Sequence, residues 1–136
     1  MEKTKFKISN FKHKYVIEAF KNNNVCGSLE FEILNNTKKL FIDDEFNKIK
    51  IVDEVIDKNP FIYLSYIVVN HKFQGQGVAN ELMNKFDKIV TNNEKIDNVL
   101  LFACPFVYEK TKLLPLDLLV KFYEKFGFNE IYNEPE

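Results

Sequence analysis

Residues 61–90 read FIYLSYIVVNHKFQGQGVANELMNKFDKIV, and the fold is decided here. Phe61 to Val69 is an unbroken apolar and aromatic run, rich in β-branched residues and free of Gly and Pro. A strand buried on both faces has this composition. Val78, Leu82, Met83, Phe86 and Ile89 then recur at helical spacing, which predicts an amphipathic helix from Val78 to about Val90 packed on that strand. Between the two lies Gln74-Gly75-Gln76-Gly77-Val78-Ala79. Two glycines at a strand-to-helix turn let the backbone approach a ligand closely and supply positive φ, while the first helical turn leaves N–H groups unpaired. Together they predict an anion site suited to a phosphate or diphosphate.

Spacing narrows the choice of anion. A Walker loop needs Gly-Lys-Ser/Thr, but Gly77 is followed by Val78-Ala79. A dinucleotide fingerprint needs a small residue at the position held by Asn80, and a second strand where this chain continues as helix. The hexapeptide resembles instead the Q/R-x-x-G-x-G/A loop of the GNAT N-acetyltransferase superfamily, with Gln74, Gly77 and Ala79 in the three specified places. Its setting fits: a buried strand, a short polar link at Asn70-His71-Lys72-Phe73, then the helix. Further on, Phe122-Tyr123-Glu124-Lys125-Phe126-Gly127-Phe128 resembles the superfamily's Tyr-x-x-x-Gly-Phe ending. This segment also parses without the resemblance, since Leu118, Leu119, Phe122 and Phe126 form a helical stripe, Pro115 suits a first turn and Gly127 suits a C′ position.

The resemblance implies an α/β fold: a mixed, mostly antiparallel central sheet flanked by helices, with a V-shaped splay between two parallel strands. It treats residues 1–136 as a single domain. The parallel neighbour of Phe61 to Val69 is then the run Asn98 to Cys104, and backbone groups of Ile67, Val68 and Val69 at the splay can pair with an extended ligand. In the family that ligand is the pantetheine arm of coenzyme A. The implied activity is acetyl-CoA-dependent N-acetyl transfer to an amine on a small molecule or a protein. Residues Ile67, Val68, Val69, Gln74, Gly75, Gln76, Gly77, Val78, Ala79 and Asn80 are the expected coenzyme contacts. An amide near Val69 is expected to stabilise the oxyanion, and Tyr123 to protonate the departing thiolate as general acid.

The base is less evident. An alkyl amine with a pKa of about 10.4 is mostly protonated at neutral pH, so a proton must be removed or relayed. Family members carry a carboxylate or histidines on the strand matched by Phe61, Tyr63 and Ser65 here, none of which ionises near neutrality. Tyr63 and Ser65 are candidates to orient water or substrate, and Glu32 and Glu30 on a neighbouring strand are candidates by position. His71 and Cys104 read as surface and packing residues. The missing base keeps an alternative open, a GNAT-like module that binds coenzyme A or a partner with little or no catalysis.

The rest of the chain gives strands and one ambiguous segment. Residues 3–9 alternate polar with apolar, as an edge strand does. Tyr15 to Phe20 and Val25 to Leu34 read as strands joined at Lys21-Asn22-Asn23-Asn24, a hairpin turn because asparagine tolerates the left-handed region. Only a loop fits at Asn10 to Lys14, where the family places one or two helices, so these helices are expected to be reduced. Leu40 to Asn59 reads as an acidic surface helix that could stand in for them. The eight residues after Phe128 allow one short strand, so the C-terminus is expected to be short, the sheet one strand short or completed in a homodimer.

Composition bounds the alternatives. The chain has 136 residues, fourteen Phe and 46% apolar residues, ample for a core. A net charge of −1 offers no basic field for nucleic acid. Two distant cysteines and two histidines suggest neither a disulfide framework nor a metal site. Without an apolar run of about 18 residues or a signal-like start, the expectation is a cytoplasmic protein with no membrane partner.

Overall fold

Asn22 and Asn23 both adopt positive φ, 53° and 64°, which is the signature of a two-residue turn whose twist matches the strands it joins. In the computed structural model, which describes residues 3–34, 60–92, 96, 98–101 and 116–129, this turn connects β2 (Lys14–Lys21) to β3 (Asn24–Leu34). A second two-residue turn, Lys12-His13, joins β1 (Lys5–Phe11) to β2. No helix intervenes between these strands, as the short loop predicts. β4 (Phe61–Val69) follows, antiparallel to β3, and β5 (Val99–Leu101) lies parallel to β4, giving among the described residues a five-stranded mixed sheet in the order β1-β2-β3-β4-β5. Helix α1 (Val78–Thr91) leads from β4 towards β5, and α2 (Leu116–Glu124) comes last.

Helix α1 seals one face of the sheet. Its Val78, Leu82, Met83 and Phe86 are buried with Ile17, Ala19, Cys26, Leu29, Phe31, Ile62 and Leu64. Phe31 stacks on Tyr15 at 5.0 Å and meets Phe86 edge-on at 5.2 Å, so aromatic contacts tie β2, β3 and α1 together. Gly27 makes this close packing possible. A Cβ built on it would lie 2.8 Å from the Val68 carbonyl oxygen and about as near Val78 and Leu82.

The β3–β4 ladder slips by one residue. Glu30 pairs with Tyr66 and Phe31 with Leu64, leaving Ser65 opposite no residue in a one-residue bulge. Strand alternation is reset by this insertion. Ile62 and Leu64 pack in the main core, and beyond the bulge it is Ile67 and Val69 that pack against it. Phe61 lies instead in a smaller cluster with Leu34 and Leu100, against which Tyr63 packs.

Several expectations meet detail here. The edge strand extends to Phe11. Phe6 packs against the core beneath Lys85 of α1, whereas Ile8, further along the same face, is 48% exposed and Phe11, on the opposite face, 72%. On α2, Leu118 is 46% exposed and the inner positions are Leu119, Phe122 and Tyr123, with Phe126 in the turn that follows also packed on the core. Adjacent residues stand about 100° apart on a helix, and the inward arc here is centred on Leu119, Phe122 and Tyr123, which leaves Leu118 at its wet edge. Parallel pairing is described for Ile62–Leu64 against Val99–Leu101, and the splay would involve residues after Leu101. That part, the acidic segment 40–59, Cys104 and the short C-terminal strand lie outside the described residues. Among the described residues no helix is long and apolar enough to cross a membrane.

Candidate active site

Chain leaves the sheet at Val69 and is latched at once. The Asn70 N–H donates to the Cys26 carbonyl at 2.8 Å, its side-chain amide donates to the Val25 carbonyl at 3.3 Å, and its Oδ1 accepts from the Lys72 N–H. The polar link predicted from sequence is a single 3-10 turn, His71–Phe73. The Gln74 amide then donates to the Val69 carbonyl and the Gln76 amide to the Lys72 carbonyl, so both glutamines brace the loop. Gln76 is exposed and Gln74 half-buried.

Both glycines of the loop take the left-handed conformation, Gly75 at φ 80° and Gly77 at φ 81°. For a residue with a Cβ this costs about 1–2 kcal/mol, and it is here that glycine is needed. Gly77 is the N-cap of α1 and provides no side-chain cap. The first intrahelical bond runs from Glu81 N–H to the Gly77 carbonyl at 3.0 Å. The N–H groups of Val78, Ala79 and Asn80 therefore precede the helical ladder, at the positive end of the helix dipole.

A cation stands beside this turn. The Lys125 ammonium donates to Asn80 Oδ1 at 3.0 Å, and it lies over the Phe122 and Phe126 rings at 5.4 and 5.7 Å. Lys125 is absent from the residues expected from sequence. A lysine at the end of an amphipathic helix resembles any solvated lysine, and its only local signal is its place inside the Tyr-x-x-x-Gly-Phe motif.

Tyr123 is fixed by how α2 ends. Gly127 is left-handed at φ 95°, its N–H bonds the Glu124 carbonyl at 3.0 Å, and the Phe128 N–H returns to the Tyr123 carbonyl at 3.3 Å. These are the two bonds of a Schellman ending, with Gly127 at C′ as the sequence predicts. The hydrophobic contact that accompanies such an ending is also present, Phe128 against the Tyr123 ring at 5.9 Å. Tyr123 is 8% exposed, in the same packed cluster as Val78 and Leu82 of α1, and burial pushes its phenol up to about 12. The glycine loop and Tyr123 are thus carried by neighbouring helices on one face of β4.

The remaining candidates lie along β3 and β4. Ile67, Val68 and Val69 are half-buried and pair with Leu29, Ser28 and Gly27 of β3. Glu32 is the ladder partner of both Tyr63 and Lys14, so two of the three expected substrate residues stand side by side. Ser65 occupies the bulge one residue beyond the last described parallel pair. Glu30 is half-buried opposite Tyr66.

A family model described as "Acetyltransferase (GNAT) domain" matches residues 12–130. The chain belongs to the GNAT acetyltransferase family. By class it is an acyltransferase. No curated protein matches the chain. Among solved structures it is similar to a ribosomal-protein-alanine N-acetyltransferase from Brucella melitensis biovar Abortus 2308, at 15% identity and TM-score 0.58, covering 93% of this chain and 72% of that one. It is also similar to the aminoglycoside N-acetyltransferase AAC(6')-Iy in complex with CoA, at 18% identity and TM-score 0.60, covering 93% and 67%. A third is an aminoglycoside acetyltransferase from an uncultured soil metagenomic sample, in complex with sisomicin, at 15% identity and TM-score 0.54, covering 93% and 67%. At these identities the likeness is one of fold, and the mixed sheet with its flanking helices is the GNAT fold.

Proposed function

We propose that this GNAT protein binds acetyl-CoA and transfers the acetyl group directly to an amine, carried by a small molecule or a protein. The observation that carries the reading is the loop at Gly75 and Gly77, where left-handed glycines open onto the uncapped start of α1 with Lys125 alongside. A diphosphate needs such a site, because amide N–H groups, helix dipole and one ammonium together offset its charge. That a solved neighbour of the same fold holds CoA supports the choice of diphosphate. From this anchor the pantetheine arm runs along Ile67 to Val69, hydrogen-bonded to the main chain as an added strand would be.

The acyl step needs an acid for sulfur. A neutral amine attacks the thioester carbonyl carbon, negative charge collects on oxygen, and collapse of the adduct expels the thiolate. Tyr123 is the proton donor. Its raised pKa keeps the phenol protonated across the physiological range. A phenol near 12 is a weak acid against a thiolate in water, but the same dry surroundings raise the thiolate's proton affinity as well. Glu32 and Tyr63, side by side on β3 and β4, are left for the acceptor side.

Titration calorimetry with CoA and a Tyr123→Phe variant tests the reading. The expected result is binding in both proteins, with amine acetylation lowered at least tenfold in the variant. Absence of binding by the folded wild type removes the coenzyme. Binding with no turnover on a broad amine panel favours the non-catalytic module instead.

A further inference from the structure

The Ser65 oxygen is buried and, among the described residues, has no hydrogen-bond partner. Native proteins seldom leave a buried hydroxyl unpaired, since the lost solvation costs about 1–3 kcal/mol, and such a group marks a site where something else supplies the partner. Its placement in the chain gives a second, independent clue. The bulge takes Ser65 out of the β3–β4 pairing, and bulges of this kind re-aim side chains beside active sites.

We propose that the Ser65 hydroxyl is the hydrogen-bond donor to the acetyl carbonyl oxygen of bound acetyl-CoA. This rests on the coenzyme reading given above. With the diphosphate at Gly75–Gly77 and the arm along Val69 to Ile67, the acyl end is the next part of the ligand to arrive, at Ser65. Four residues of strand separate Val69 from Ser65, about 13 Å, so the oxyanion belongs nearer the bulge than to Val69, where sequence reasoning puts it. As the amine nitrogen bonds to the carbonyl carbon, the carbonyl π pair moves to oxygen and Ser65 donates to it. When the pair returns, the C–S bond breaks and the thiolate takes the Tyr123 proton. Nitrogen releases one proton to solvent and the phenolate regains one, so amine and thioester give amide and thiol.

The test compares acetyl-CoA with CoA, which lacks the acetyl oxygen, on the wild type, Ser65→Ala and Ser65→Thr. Loss of the hydroxyl is expected to weaken acetyl-CoA by about threefold to tenfold while CoA binding stays within twofold. The ligand-free melting temperature of Ser65→Ala should hold or rise, because an unpaired buried hydroxyl has been removed. Ser65→Thr should keep the preference for the acetylated ligand. Equal weakening of both ligands, an unchanged preference in Ser65→Ala, or a clear fall in its melting temperature would each overturn the assignment and leave the coenzyme reading standing. A wild type that binds neither ligand overturns both.

Discussion

A phenol held at 8% exposure has consequences beyond catalysis. Tyr123 keeps its proton up to about 12 in the folded state, whereas an unfolded tyrosine loses it near 10.0. Below the lower value both states are protonated and the shift has no effect on stability. Between the two, only the unfolded chain ionises, so folding stability is lost as pH rises through this window, by about 3 kcal/mol at most. Urea unfolding of the wild type and Tyr123→Phe at pH 8 and at pH 11.5 should therefore show a smaller alkaline loss in the variant; parallel losses would mean the phenol is not the group responsible. At this scale the sequence was informative where a motif fixes a residue, as for Tyr123 and the two loop glycines. It was silent on Lys125, whose importance comes from Asn80 on another helix, and on the Ser65 bulge. A bulge is a property of the pairing between β3 and β4, and nothing within FIYLSYIVV marks which residue the ladder will skip.

Elements were legible where local pattern and tertiary demand agree. β4 and α1 lie where their apolar periodicities place them, and the Asn22-Asn23 turn and the Gly127 helix end follow from left-handed backbone requirements. The phase of α2 was harder, because Leu118 and Leu119 are equally apolar and only packing on the sheet selects between them. At Gly27, β3 meets β4 and α1 with no room for a Cβ. Replacing Gly27 with alanine should force this junction apart and cost about 1–3 kcal/mol in urea unfolding with an unchanged slope. Because Val68 and Val78 both border the proposed coenzyme path, CoA affinity should fall with it. An alanine variant as stable as the wild type would show that β4 shifts freely.

At the scale of the molecule, the sheet divides into two kinds of connection. β1, β2 and β3 are a meander joined by two-residue turns, whereas β4 reaches β3 only after residues 35–60, and β5 reaches β4 only after α1. Closing a short loop costs little entropy and closing a long one costs more, so the meander is the inexpensive part to nucleate and the β4–β5 side condenses on it. The coenzyme's proposed footing, the glycine loop with its two helices, belongs wholly to the late side. Saturating CoA should then leave the refolding rate after a denaturant jump unchanged and slow only unfolding, whereas acceleration of refolding would place the loop in the transition state. A newly made chain would gain nothing from the metabolite until its architecture was nearly complete, and from then on the metabolite would act as a brake on unravelling.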